Sequence, residues 1–356
     1  MATVRNPNSV AARMMRIAIS PRLRARSFFI QDLIASILSE VPAEDYEEDE
    51  PVRGPWKKRT ATEKAAVETR TAQISFIGPR GCQGLVADET VYVKPQSLIA
   101  IGDRVEIDST GTIRTVLPRD TTLSRPDPLN HRNERVIAAN VDLVVIVAAM
   151  RAPDLRPGLI DRYLIAIEKG GADVVLCLTK IDRVENEAEF RVLDPYRALG
   201  IPIYPVSNKT GAGVEALLTA LAGKLAVLVG HSGVGKSSLM NAFAPDTNAA
   251  TGEISKLYQK GRHTTTSSTM YRLARGIRII DTPGVREFGL WDITVAEVER
   301  TFHDFDAYRG QCQFKDCSHT HEPICGVRDA LGEGKIPEQR YAAYLRIRDD
   351  VEREHH

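Results

Sequence analysis

Gly230-His231-Ser232-Gly233-Val234-Gly235-Lys236-Ser237 decides how this 356-residue chain is read, because it meets G-x-x-x-x-G-K-[ST] at every fixed position. The apolar run Leu225 to Val229 precedes it, and Ser238 to Phe243 can continue as a helix. Between strand and helix, such a loop turns its backbone N–H groups onto phosphates at a helix N-terminus. Lys236 can then reach the β- and γ-phosphates, and the Ser237 hydroxyl can ligate Mg²⁺. The glycines let the backbone approach where a Cβ would obstruct it. Residues 230–237, with Ser238 at the helix start, are therefore candidate nucleotide contacts.

Downstream, Asp281-Thr282-Pro283-Gly284 follows the strand-like Ile277 to Ile280. An Asp at a strand end beside a P-loop can hold Mg²⁺ through water, and the Gly284 N–H can meet a γ-phosphate. Between the two motifs lies His263-Thr264-Thr265-Thr266, from which one threonine, taken as Thr265, can add a second hydroxyl to Mg²⁺. Upstream, Thr179-Lys180-Ile181-Asp182 ends the apolar run Val174 to Leu178, and Ser207-Asn208-Lys209 ends Ile201 to Val206. These resemble the fourth and fifth guanine-nucleotide motifs of GTPases, N-K-x-D and S-A-K. The Asp182 carboxylate can accept both guanine N1–H and the exocyclic N2–H₂, a donor pair that adenine lacks, so GTP is the expected nucleotide.

The motif order along the chain is thus fourth, fifth, first, second, third. Strand and helix units still alternate: Ile160, Tyr163, Leu164 and Ile167 mark one amphipathic helix, and Val214, Leu217, Leu218 and Leu221 another. A parallel sheet flanked by helices can be cut in one loop and rejoined elsewhere without changing its packing. The motifs describe a circularly permuted GTPase. In Ras-type enzymes a Gln just after D-x-x-G orients the attacking water. Val285 stands there and can neither donate nor accept, so slow intrinsic hydrolysis is expected. His263, beside the threonine run, is the candidate for positioning the water, although an exposed loop histidine fits the sequence equally.

Toward the C-terminus, Cys312-x₄-Cys317-x-His319-x₅-Cys325 offers three thiolates and one imidazole, the closed set of a structural tetrahedral Zn²⁺ site with no open position for catalysis. On spacing alone, His321 competes with His319 for the fourth place. Tyr341, Tyr344, Leu345 and Ile347 suggest a helix packed on this module. Toward the N-terminus, five short β-branched runs between Gln73 and Leu117 suggest a small barrel, either an OB-type oligonucleotide binder or a purely structural one. Residues 1 to 31 carry six arginines and no acid, and six acids follow between Glu44 and Glu50. That pattern reads as a disordered charged tail over 1–69, while its Arg-rich start also resembles an organelle transit peptide. Lys plus Arg and Asp plus Glu are each 47, so the net charge of zero gives no general affinity for nucleic acid. No apolar run approaches the roughly 18 to 20 residues that cross a bilayer.

Over about residues 70 to 350 the combination resembles the ribosome small subunit-dependent GTPase A family. The resemblance implies an OB-fold barrel that contacts ribosomal RNA, a permuted GTPase, a C-terminal zinc domain, and a GTP-dependent factor acting late in small-subunit maturation, weakly active until the subunit stimulates it. It favours His319 over His321 as the zinc ligand. The expected divisions are 70–125, 130–295 and 296–356, in a cytoplasmic monomer that binds no membrane. Two departures stand out. Thr179 replaces the usual Asn, removing an amide that would brace the loop and contact the base. Asn208 replaces the usual Ala, where the backbone N–H should still serve. A competing reading is an RNA-binding module that senses GTP against GDP with negligible turnover.

Overall fold

Apolar and polar residues alternate along β1 (Arg70–Gly78), putting Ala72 and Ile74 on one face. Four further short strands follow, β2 (Gly81–Val86), β3 (Glu89–Val93), β4 (Arg104–Ile107) and β5 (Ile113–Val116). β1 pairs antiparallel with β2 and β4, β2 with β3, and β4 with β5. The Lys94 N–H donates to the Gly111 carbonyl at 2.8 Å, drawing the end of β3 toward the start of β5. Ala72, Ile74, Cys82, Val93, Val105, Ile107 and Ile113 fill the interior. All of this belongs to the unit Ala65–His356 of a computed structural model that describes residues 68–79, 81–96, 98–127, 133–243, 267–282 and 293–354. The charged tail expected over 1–69 lies outside the described residues except for Glu68 and Thr69.

A strand pair that the sequence reading did not anticipate, β6 (Thr122–Pro126) and β7 (Glu134–Ala139), leads into the central domain. There β8 (Leu143–Ala149) is buried at all seven positions, as a strand covered on both faces must be. Helix α1 (Pro157–Gly170) starts at a proline that needs no N–H partner and stops at Gly171, which is left-handed with φ 77°. The chain continues through β9 (Asp173–Thr179), α2 (Asp194–Ala198), β10 (Ile203–Pro205), α3 (Val214–Leu221), β11 (Leu225–Val229), α4 (Lys236–Phe243), β12 (Ser268–Arg272) and β13 (Arg278–Asp281). The sheet order β10-β9-β8-β11-β13 is parallel throughout, and β12 runs antiparallel on its far side. Strand β11, which feeds the P-loop, lies between β8 and β13, so the loops after β9, β10, β11 and β13 open on one edge. Ligands bind at that edge in open α/β sheets.

β12 also pairs with β1, Phe76 opposite Thr269 and Ile77 opposite Ser268, which makes the N-terminal strands and the central domain one continuous mixed sheet of 11 strands among the described residues. Apolar side chains cover both faces of its parallel part. One layer includes Ile160, Tyr163 and Ile167 of α1, and the other Leu217 and Leu221 of α3 with Leu239 and Met240 of α4. No helix among the described residues is long and apolar enough to cross a membrane.

The C-terminal module holds α5 (Val295–Thr301), α6 (Asp306–Arg309), α7 (Gly326–Gly332) and α8 (Glu338–Glu354). A capping box starts α5, the Thr294 N–H donating to Glu297 at 2.8 Å and the Glu297 N–H to the Thr294 hydroxyl at 3.2 Å. Arg340 of α8 is 2 % exposed. Its guanidinium bonds Asp304 at 2.6 and 2.9 Å and reaches Asp161 of α1, itself held by the Tyr196 hydroxyl at 2.9 Å. The same guanidinium lies 4.5 Å from the centroid of Phe302. Removing one member of a buried pair leaves an uncompensated charge, at a cost of about 3–5 kcal/mol. Arg340→Leu should therefore lower unfolding free energy in urea by about that amount, whereas an unchanged midpoint would show that the pair adds nothing to the joint.

Candidate functional site

The loop between β11 and α4 carries the phosphate motif in the conformation its glycines permit. Gly230 has φ 142°, and a Cβ there would fall 2.2 Å from the Val147 carbonyl oxygen of β8. No other residue fits. The Lys236 ammonium lies back along the loop, donating to the carbonyls of Gly230 at 2.5 Å and His231 at 2.9 Å. Ser237 and Ser238 are exposed in the first turn of α4, Val234 is fully buried, and Ser232 and Gly233 face solvent. β13 ends at Asp281 next to β11, with Ile280 opposite Val227, so Asp281 stands on the phosphate side of the sheet edge.

The two motifs expected to read the base fold directly against this loop. The Thr179 hydroxyl, at the buried end of β9, donates to the Val234 carbonyl at 2.5 Å. Lys180, left-handed with φ 58°, extends its ammonium to the Gly233 carbonyl at 2.7 Å and to Ala152. The Asn208 amide donates to the Gly235 carbonyl at 3.2 Å. The amide missing at residue 179 does not leave the loop without support from β9, since the hydroxyl supplies it. Asp182, exposed in the turn Ile181–Arg183, accepts from the Ser207 hydroxyl at 2.6 Å. That hydrogen bond holds the Asp182 carboxyl below its ordinary range, so it stays an ionised acceptor pair at neutral pH. Burial shifts the Lys180 ammonium downward, with Arg183 adding to the effect. Lys209 follows in the loop after β10. His263, Thr265, Gly284 and the position of Val285 lie outside the described residues.

Farther along, the ligand atoms of Cys312, Cys317, His319 and Cys325 all lie within 4.8 Å of one another. The Nδ1 of His319 is 3.6 Å from Cys312 Sγ and 3.4 Å from Cys325 Sγ, and those sulfurs are 4.0 Å apart. A tetrahedral ion with bonds of about 2.3 Å to sulfur and about 2.0 Å to nitrogen needs edges of roughly 3.8 and 3.5 Å, so the donor set fits a metal ion. His321 instead approaches the Thr320 hydroxyl at 2.8 Å and stands outside the cluster.

Sequence reasoning missed what holds this loop. His319 is left-handed, φ 59°, and the Glu322 carboxylate accepts the N–H groups of Ser318, Thr320 and His321 at 2.6, 3.1 and 3.2 Å. The hydroxyls of Tyr341 and Tyr344 donate to the His319 and Ser318 carbonyls at 2.6 and 2.8 Å. Glu299 of α5 comes within 3.4 Å of His319 Nε2, at ion-pair distance though off the hydrogen-bond line. A carboxylate behind a ligating imidazole is the usual arrangement for fixing its orientation. An acid in a helix register carries no sequence signal of that role.

Fold and site together define a P-loop GTPase with circularly permuted motifs. A family profile described as RsgA GTPase matches residues 116–291. The small ribosomal subunit biogenesis GTPase RsgA of Yersinia enterocolitica is 39% identical over 278 residues, 77% of each chain. RsgA 1 of Vibrio vulnificus is 40% identical over 274 residues, 75% of this chain and 74% of its own. Among solved structures, YjeQ from Thermotoga maritima superposes with a TM-score of 0.65 at 31% identity, over 80% of this chain and 99% of that one. YloQ, described as a circularly permuted GTPase, gives a TM-score of 0.63 over 81% of this chain and 96% of its own, and at 24% identity it speaks to fold alone. This chain belongs to the RsgA GTPase family and is a GTP-hydrolysing enzyme.

Two outcomes follow from the geometry. Ser207→Ala removes the hydrogen bond that aims the Asp182 carboxylate, so GDP affinity measured by calorimetry should fall, and an unchanged affinity would show that the bond does not prepare Asp182 for the base. Stripping metal with a strong chelator should melt the Cys/His module, read as a change in tyrosine fluorescence from Tyr341 and Tyr344, with full recovery on returning metal.

Proposed function

We propose that this GTPase acts late in maturation of the small ribosomal subunit, hydrolysing GTP to GDP and phosphate with Mg²⁺, slowly when free and faster on the subunit. The observation that carries the nucleotide half is the packing of Thr179, Lys180 and Asn208 on three successive P-loop carbonyls, with Ser207 aiming Asp182. Asp182 then reads guanine N1–H and N2–H₂, Lys236 and the loop N–H groups hold the phosphates, and Ser237 and Thr265 ligate Mg²⁺ with Asp281 behind water. Gly284 meets the γ-phosphate, and His263 positions the water where Val285 cannot. The ribosomal half is supported by the Yersinia and Vibrio relatives, both small ribosomal subunit biogenesis GTPases by name.

The five N-terminal strands are proposed as an OB-fold over 70–125 that lies on ribosomal RNA. The pairing of β1 with both β2 and β4, and the approach of β3 to β5, support that topology. The GTPase domain is proposed to span 130–295. The module at 296–356 takes one structural Zn²⁺, for which three thiolates and an imidazole are the characteristic donors. A cytoplasmic monomer completes the proposal. A sensor with negligible turnover is the second reading, motivated by Val285.

Phosphate release with and without ribosomal subunits separates the two. Small subunits should raise the rate at least tenfold and large subunits should not. A rate unmoved by either favours the sensor. Asp182→Asn should shift preference from guanine to xanthine nucleotides, and undiminished GTP binding in that variant would remove Asp182 from the base site.

A further inference from the structure

The fourth-motif position carries Thr179, whose one hydroxyl proton is committed to the Val234 carbonyl at 2.5 Å with the Ala148 carbonyl at 3.3 Å. It is 0 % exposed and has no second proton to give a ligand. The amide that a motif of the form N-K-x-D would place there is absent. Across the loop, at a position where S-A-K carries only a methyl group, stands Asn208. Both side chains flank the same point of the P-loop: a Cβ built on Gly235 would lie 3.2 Å from Asn208 Nδ2 and 3.7 Å from Thr179 Oγ1.

The orientation of the Asn208 amide is fixed chemically. Its partner on the loop is the Gly235 carbonyl, an acceptor, so the nitrogen must face it. An amide nitrogen has two protons, and the bond to Gly235 uses one. Asn208 is half-buried, and among the described residues no acceptor takes its second Nδ2 proton, which is left for a ligand; the enclosed Oδ1 lacks a donor and has no part in that contact. Ser207, the preceding residue, holds Asp182, the acceptor for the N1–H and N2–H₂ side of guanine. The opposite edge of guanine presents only acceptors, N7 and O6. A donor on residue 208 has the chemistry that this edge requires.

We propose that the side-chain amide of Asn208 is a specificity-determining contact that donates to guanine N7 while bracing Gly235, so that the amide of the fourth motif has been relocated to the fifth. The proposal rests on the guanine reading of Asp182 given above. The motif normally asks one asparagine to touch loop and base together; in this chain Thr179 keeps the loop contact and Asn208 takes the base contact.

The test uses the full chain and two nucleotides, GDP and 7-deaza-GDP, which lacks only the N7 acceptor. A net hydrogen bond of ordinary strength predicts that the parent binds 7-deaza-GDP about threefold to tenfold more weakly. Asn208→Ala should weaken GDP and bind the two nucleotides equally. The double variant T179N/N208A, which returns the amide to the fourth motif, should regain the discrimination. A merely structural role for Asn208 would weaken both nucleotides alike and leave their ratio unchanged. The proposal is overturned if the parent binds both equally, or if Asn208→Ala keeps the parent's ratio. Failure of the underlying guanine reading shows differently, as Asp182→Asn leaving GDP affinity undiminished.

Discussion

A P-loop that points its N–H groups inward at phosphate must point its carbonyls outward, and buried carbonyls need donors. Here the buried Val234 carbonyl receives one from Thr179 and the half-buried Gly235 carbonyl one from Asn208, while the exposed Gly233 carbonyl accepts from Lys180. That requirement ties the loops after β9 and β10 to the loop after β11 whatever their order along the chain. Strand adjacency enforces it: β8 sits between β9 and β11, and Ala148 at its end shares the Thr179 hydroxyl. A permuted chain can satisfy the constraint because the contacts are made between strand ends, and the sheet order is indifferent to which loop was opened.

What could be read from the sequence was what lies in fixed, local spacing. The P-loop, the TKID and SNK stretches and the Cys/His set each carry their chemistry within a few residues, and β8, β9 and β11 are apolar runs without ambiguity. The five N-terminal strands showed themselves as short β-branched runs broken by glycine. β12 did not, because Ser-Thr-Met-Tyr-Arg is short and polar, and its partners β1 and β13 are recruited by tertiary pairing. Thr179 was legible as a departure from its motif but not as a working substitute, since a hydroxyl's reach to Val234 is a matter of distance.

Arg340 illustrates the same boundary from the other side. In Glu-Gln-Arg-Tyr at the start of α8 it reads as one charge on a solvated helix, yet it is among the most buried large side chains of the described residues. Its burial depends on carboxylates at Asp161 and Asp304, one of them far away in sequence and on a helix of the GTPase domain. Likewise Glu322 and the two tyrosines around His319 are ordinary residues until the loop closes on them. The loop that carries the metal ligands is thus shaped by side chains that bond its backbone as well as by the ligands themselves.

The pairing between β1 and β12 makes the N-terminal strands more than an appended module. Cutting the chain after β5 to isolate the nucleotide-binding half would strip Ser268 and Thr269 of β12 of their partners Ile77 and Phe76 and leave that rim unpaired. Exposed rims of that kind recruit strands from other molecules. A truncated fragment would consequently be prone to self-association, and its solution behaviour would reflect that raw border more than any change at the nucleotide pocket.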